Sequence, residues 1–315
     1  MDSLPQLSVI VVVGLCRKRA QRVIDSLCAQ TVVDSIEIII FDLAPSDIPK
    51  LNTSPDMRVV YLSRPQKTRW SKARAEGVQY ASSPIVAFIE DHCFPEPSWA
   101  ELLIEAHKGP WVAVSYGFKN ANPKTYMGRA SMVNDYGLWL HPARRGQSDF
   151  IPCQNVSYKR DLLLSFGEEL EVLLTPDFSL QQVLSQRGLP MFVESRALVA
   201  HENFTRLFPL MLAHYSFSRM LAARRVEVQS WRKLRRIFYA LAVLPGAPIL
   251  ALVRLFLSLR GRASLWPLVI ASLPVCMLAH LWGAIGESMG YFFGPGNAAS
   301  DLHRWELDTE RDIIK

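Results

Sequence analysis

An apolar run, Ile85 to Ile89, breaks off into Glu90-Asp91-His92. Ionisable side chains are rarely buried without a partner. Three in a row at the end of a buried segment therefore ligate a cation, carry out acid–base chemistry, or mark where a strand meets water. In the last case Glu90 caps the turn and His92 packs beside Phe94. As cation ligands, Asp91 and His92 come first, with Glu90 behind or beside them. A hard divalent cation wants oxygen donors, and manganese accepts an imidazole tolerably well. Other candidates lie further along the chain. Asp42 ends a second apolar run, and His201 ends "RALVAH". Asp177 stands just before "FSLQQVL", where an aspartate serves as a general base or as a helix N-cap. Gln154 and Asn155 are polar residues in an apolar neighbourhood, suited to a ligand pocket or to turn hydrogen bonds, and Arg74 offers a cation from a helix.

The elements that must position these groups are legible in the first hundred residues. Residues 7–13 are β-branched and apolar, as in a strand buried on both faces. "RKRAQRVIDSLCAQT" places Val23, Ile24, Leu27 and Cys28 at helical spacing. "IEIIIFDLAP" and "MRVVYLSRP" read as strands, "SKARAEGVQYA" as a helix, 85–89 as a strand and "SWAELLIEAH" as a helix. This succession is α/β with a largely parallel sheet. Ligands of such sheets sit at the carboxyl ends of the strands, where Asp42 and Glu90-Asp91-His92 fall. "WVAVSYGF" suggests another strand, and the segment from Asn120 to Asp149 reads as a loop-rich insertion. "DFSLQQVLSQRGL" predicts a helix stopped by Gly188, and "PMFVESRALVAHEN" one strand or two.

Composition separates the remainder of the chain. Of 315 residues, 50% are hydrophobic and the formal net charge is +6. Between Phe217 and Arg262 there are ten Lys/Arg and one acid, Glu227, a local net of +9 that leaves −3 elsewhere. The basic character is thus regional, which argues for a local anionic partner and against general nucleic-acid binding. Two uncharged stretches, 17 and 24 residues long, cover 237–253 and 263–286. A span needs about 20 apolar residues. Pro245 and Pro248 are expected to break or kink the first stretch. Arg260 and Arg262 in the connector favour a re-entrant or interfacial hairpin over two full spans. The five cysteines are scattered and form no CxxC pair, which fits a reducing setting better than a disulfide or zinc-finger framework. "LSVIVVVGL" lacks a preceding basic region and reads as a first strand instead of a signal peptide.

In their order, these features resemble an inverting family 2 glycosyltransferase of the GT-A (Rossmann-like) fold. The resemblance covers residues 7 to about 205. It is carried by "LSVIVVVGLCRKR…VIDSLCAQT", "EIIIFDLAP", "KARAEGVQYASSPIVAFIEDHCFPEPSW", "QNVSYKRDLLLSFG" and "TPDFSLQQVLSQRG". It implies that Val13, Gly14, Asp42, Arg74, Glu90, Gln154 and Asn155 bind the nucleotide sugar. It also implies that Asp91, His92 and His201 hold Mn2+ or Mg2+, and that Asp177 is the general base. The sequence departs from the pattern in four places. Glu90-Asp91-His92 stands for the usual Asp-x-Asp, and Thr175-Pro176-Asp177 lacks the acid before the aspartate. Leu43 replaces a second acid, and Ala75 the asparagine after the arginine.

The resemblance further implies a UDP-sugar donor. The basic helix and the apolar stretches after it read as a membrane anchor with the catalytic domain on the cytosolic face, so a lipid-linked or glycan acceptor is expected. The expected domains are 1–205 (the α/β GT-A domain), 206–236 (a basic helical linker), 237–293 (an apolar membrane hairpin) and 294–315 (a polar tail). The alternative is a degenerate GT-A domain that binds nucleotide sugar without transfer. A nucleotidyltransferase is disfavoured, because "VGLCRKR" lacks the glycine-rich phosphate loop.

Overall fold

The computed structural model describes residues 4–152, 154–175 and 178–311. The chain divides into two compact units, Met1–Lys119 with His141–His201, and Asn120–Leu140 with Glu202–Lys315.

The first unit is built on a nine-stranded mixed sheet. Its strands are β1 (Leu7–Val13), β2 (Ile36–Asp42), β3 (Arg58–Ser63), β4 (Ile85–Glu90), β5 (Cys93–Pro95), β6 (Ala113–Asn120), β7 (Gly146–Gln147), β8 (Val156–Lys159) and β9 (Met191–His201). The order is β3-β2-β1-β4-β8-β6-β9-β5, with β7 paired to β9. Every residue of β1 and β2 is buried, as their unbroken apolar runs require when helices cover both faces of a parallel sheet. Each fully buried Val, Ile or Leu there contributes about 1.5–3 kcal/mol. The helix Arg17–Cys28 turns Val23, Ile24 and Leu27 inward as their spacing predicts, together with Ala20, while Cys28 is only half-buried.

The sheet is parallel only over β3-β2-β1-β4. β8 pairs antiparallel with both β4 and β6, and β5 pairs antiparallel with β9. The expectation of a mostly parallel sheet therefore holds for its first half. A parallel neighbour needs a long crossover in the chain. Beyond β4 the strands β8 and β6 instead return beside their neighbours in the opposite direction. "PMFVESRALVAH" forms one long strand, and the helix Phe178–Gln186 ends before Gly188, whose φ is 65°.

The second unit is helical, with helices Tyr126–Tyr136, Leu207–Val228, Lys233–Ser258, Trp266–Phe293 and Ala298–Leu307. Part of the segment read as a loop-rich insertion is thus a helix, capped at its start by the Thr125 hydroxyl, which accepts from the Gly128 N–H. The helix Lys233–Ser258 continues through Pro245 and Pro248 without ending. It begins inside the stretch expected to be a separate basic linker. Lys233–Ser258 and Ala263–Phe293 are both long and apolar enough to cross a membrane.

Several of the basic residues are engaged within this unit. Arg262 donates to the carbonyls of Gly137 at 3.1 Å, Leu138 at 3.2 Å, and Leu140. Arg219 and Arg236 reach the last carbonyls of Trp266–Phe293 and beyond, through Gly294 at 2.9 Å, Tyr291 at 2.7 Å and Phe292 at 2.9 Å. Cations at a helix C-terminus also complement its dipole. A Cβ added to Gly286 or Gly290 would fall 2.2 Å from the Tyr215 carbonyl oxygen or 2.4 Å from that of Arg219. These two glycines thus let the helices touch backbone to backbone.

Candidate active site at the strand ends

The register of the parallel strands brings the predicted groups to one edge. Val13 lies opposite Asp42, and Val12 opposite Glu90. With neighbouring strands about 4.8 Å apart, Asp42 and Glu90 stand about 10 Å from each other across the end of β1. Val13 and Gly14 fill the gap between them. The Val13 carbonyl accepts from the Leu43 N–H at 2.9 Å, and the Gly14 carbonyl from Arg17 at 3.3 Å.

Asp42 is buried and fully engaged. It accepts from Arg17 Nη1 at 2.9 Å, Arg17 Nη2 at 2.8 Å, the Ala44 N–H at 3.0 Å and the Tyr61 hydroxyl. A carboxylate offers about four acceptor positions. A nucleotide hydrogen-bonding to Asp42 must therefore displace Arg17 or Tyr61. Burial opposes the charge on Arg17, but the hydrogen bonds it donates to Asp42 and Tyr61 outweigh it and raise its pKa. Burial, then the bond to Asp42, raises that of Tyr61. Sequence reasoning missed both partners. The only available signal for Arg17 was its position three residues past Gly14.

On the other side of β1, Glu90 Oε2 lies 3.5 Å from His92 Nε2, 3.7 Å from His201 Nε2 and 3.6 Å from Cys93 Sγ. The donor atoms of these four residues all fall within 4.8 Å of one another. β-pairing assembles the group: Cys93 and His201 are register partners of β5 and β9, and the His92 and His201 rings meet edge-on at 4.9 Å. The structure thus joins His201 to His92 and Glu90, and adds Cys93, which sequence reasoning passed over.

Asp91 is placed differently. It is completely buried, 2.9 Å from His92 Nδ1, and paired with the buried Arg19 at 3.1 Å. Its carboxylate orients His92 and lies outside the four-donor group. Asn155 grips Glu90, its Nδ2 donating to Oε2 at 2.6 Å while its Oδ1 accepts from the Glu90 N–H at 3.1 Å. Gln154 precedes it, half-buried. Arg74 is buried on the helix Trp70–Tyr80, 5.5 Å from the centroid of the Phe88 ring. The fully buried Tyr116 phenol is pushed well up by burial, with Cys93 and Glu90 adding and Arg74 opposing, so these groups share one electrostatic neighbourhood. Asp177 lies outside the described residues.

Residues 8–161 match the family model of glycosyl transferase family 2. The chain carries a family 2 glycosyltransferase domain. The match runs from β1 past β8, so it includes Asp42, Glu90, Cys93 and Asn155 but neither Asp177 nor His201. Among solved structures, 285 chains are similar to this one. TarS 1–349 of S. aureus is 15% identical over 70% of this chain and 65% of that one, with a TM-score of 0.45; this chain thus spans just under two thirds of it. The mannosyltransferase PcManGT from Pyrobaculum calidifontis, in complex with GDP-Man and Mn2+, is 17% identical over 98% of this chain and 89% of that one, with a TM-score of 0.53. This likeness shows the shared GT-A fold. No curated protein matches the chain.

The glycosyltransferase domain therefore has a group able to hold a metal. Tested against Mn2+ or Mg2+ bridging a diphosphate, its donor set fits poorly. Two imidazoles and a thiol stand where a hard ion wants oxygen, and Cys93, His92 and His201 are almost completely buried.

Proposed function

We propose that the glycosyltransferase domain transfers a sugar from a nucleoside-diphosphate sugar to an acceptor hydroxyl by a single in-line displacement that inverts the anomeric centre. The observation that carries this reading is the strand register: within a family 2 domain it sets Val13, Gly14, Asp42 and Glu90 along one edge of the sheet. Asp42, once Arg17 or Tyr61 gives way, accepts from the base or ribose. Arg74 offers its charge to the leaving diphosphate. Asp177, preceding the helix Phe178–Gln186, takes the acceptor's proton as its oxygen attacks the sugar carbon. No step is routed through a metal, because the donor set does not suit a diphosphate-bridging ion.

A UDP-sugar is the donor the sequence points to, and the GDP-Man of the solved mannosyltransferase adds GDP-sugars to the set worth testing. The two long apolar helices support a membrane location and a lipid-linked or glycan acceptor at the membrane. The cytosolic face suits the basic helices, each Lys/Arg near an anionic surface adding about 1 kcal/mol. Arg262, one of the two cations that weighed against full spans, has its donors taken up by internal carbonyls.

The test is nucleoside diphosphate release by the full chain in detergent, across UDP- and GDP-sugars, with membrane lipid extract supplying the acceptor. Release from one donor is expected, and Asp177→Asn lowers it about 10²–10⁴-fold while donor binding by calorimetry persists. Unchanged release in Asp177→Asn removes that residue from the reaction. The replacement of hard metal ligands favours a second reading, a domain that binds nucleotide sugar without transfer. Binding with no release from any donor, lipid extract present, would select it.

A further inference from the structure

We propose that Glu90, His92, Cys93 and His201 form a closed tetrahedral site for a zinc-class ion, one that fastens the end of β4 to β5 and β9 and does not touch the donor diphosphate. Four observations carry this.

The first is spacing. Zinc bonds nitrogen and oxygen at about 2.0–2.1 Å and thiolate sulfur at about 2.3 Å. At tetrahedral angles these lengths put neighbouring ligand atoms about 3.3–3.5 Å apart. Glu90 Oε2 lies 3.5, 3.7 and 3.6 Å from His92 Nε2, His201 Nε2 and Cys93 Sγ. All four donor atoms lie within 4.8 Å of one another, so the widest-spaced must close by up to about an ångström to reach tetrahedral spacing. The second is donor chemistry. Two imidazoles, a thiolate and a carboxylate suit a borderline-soft ion and not a hard one.

The third is the surrounding shell. A metal-bound histidine usually gives its other ring nitrogen to a carboxylate, which fixes the tautomer and the ring. Asp91 takes that place at His92 Nδ1, 2.9 Å away, and is itself anchored by Arg19. Asn155 steadies the Glu90 carboxylate in the same way at 2.6 Å. The fourth is charge. A thiolate and a carboxylate balance a divalent cation, and Asp91 is balanced by Arg19, so the loaded site is neutral where Cys93, His92 and His201 are buried. Four protein ligands leave no open position, the mark of a structural ion as opposed to a catalytic one.

The site is read without any substrate, so the proposal stands or falls separately from sugar transfer. Full-length protein in detergent is stripped with chelator, offered zinc and manganese at equal concentration, and analysed for bound metal. One zinc per chain, displacing manganese, is expected, together with a rise in thermal midpoint on loading. Cobalt substitution should give the intense visible bands of a tetrahedral ion and a thiolate-to-cobalt charge-transfer band. Cys93→Ser abolishes the charge-transfer band, and Asp91→Asn weakens zinc binding about 10–100-fold. Should the variants fail to fold, the wild-type cobalt spectrum decides alone. No stoichiometric zinc, a six-coordinate cobalt spectrum, or a charge-transfer band that survives in folded Cys93→Ser overturns the proposal.

Discussion

Buried polar groups of the glycosyltransferase domain meet partners of two opposite kinds. At the amino ends of the parallel strands, Glu37 accepts from the Ser8 hydroxyl, the Ser82 hydroxyl at 2.9 Å and the Ser82 N–H at 2.6 Å. Toward the middle of the sheet, the buried His107 ring meets the Ser157 hydroxyl at 2.9 Å, which donates on to the Val114 carbonyl at 2.9 Å. At the carboxyl ends, carboxylates and imidazoles face one another instead, joined by a thiol and an arginine. Hydroxyl and backbone partners satisfy a buried acid such as Glu37 and leave it inert. Acid, imidazole and thiol gathered together can take up a proton or an ion. The residue type alone does not mark a site; its partners do.

The comparison is broken hardest at Asp91. Asp91→Ala leaves the buried Arg19 without that carboxylate and is expected to cost about 3–5 kcal/mol in urea unfolding. A loss below about 1 kcal/mol would mean that this edge is held together no more tightly than the surface.

The next largest effect is a pH dependence from His107. Burial, then Lys159, depresses its pKa from 6.5 to about 3. The unfolded chain thus binds a proton that the folded chain refuses. Stability is full above pH 6.5 and falls as the pH drops toward 3, by about 1.4 kcal/mol per unit. Thermal melts at pH 7 and pH 5 should show wild type losing about 2 kcal/mol more than His107→Gln. Equal losses would show that this ring is not held neutral.

The smallest effect sharpens the contrast. Glu37→Gln turns one of two acceptor oxygens into a donor and is expected to cost about 1 kcal/mol, leaving donor affinity and metal content as in wild type. A change in either would tie the two edges together.

The parallel half of the fold was legible because each of its elements announces itself locally. β1, β2 and β4 are unbroken apolar runs, and Arg17–Cys28 carries a clear inward stripe. The antiparallel half was not, since neither the direction of β8 nor its place between β4 and β6 is written in its own four residues. The helix Tyr126–Tyr136 hid because Gly128, Arg129, Ser131 and Asn134 interrupt its apolar positions. Within the site, Asp42, Glu90, His92 and His201 stood out as ionisable groups at strand ends. Cys93 did not, although it directly follows His92. Weighing cysteines only against other cysteines discarded the one whose neighbours were imidazoles. Asp91 was singled out by type, and only its distance to Arg19 reveals its place in the structure.

The pairing of Cys93 with His201 has a consequence for how the chain finds its shape. β5 is only three residues long, and so short a strand could dock against β9 one step out of place. That slip would set Ala200 or Glu202 opposite the thiol and turn His201 to the other face. Whatever occupies the cluster binds only when the step is correct. The arrival of an ion there would thus be a proofreading event, certifying that two stretches made far apart in synthesis have met in the right alignment.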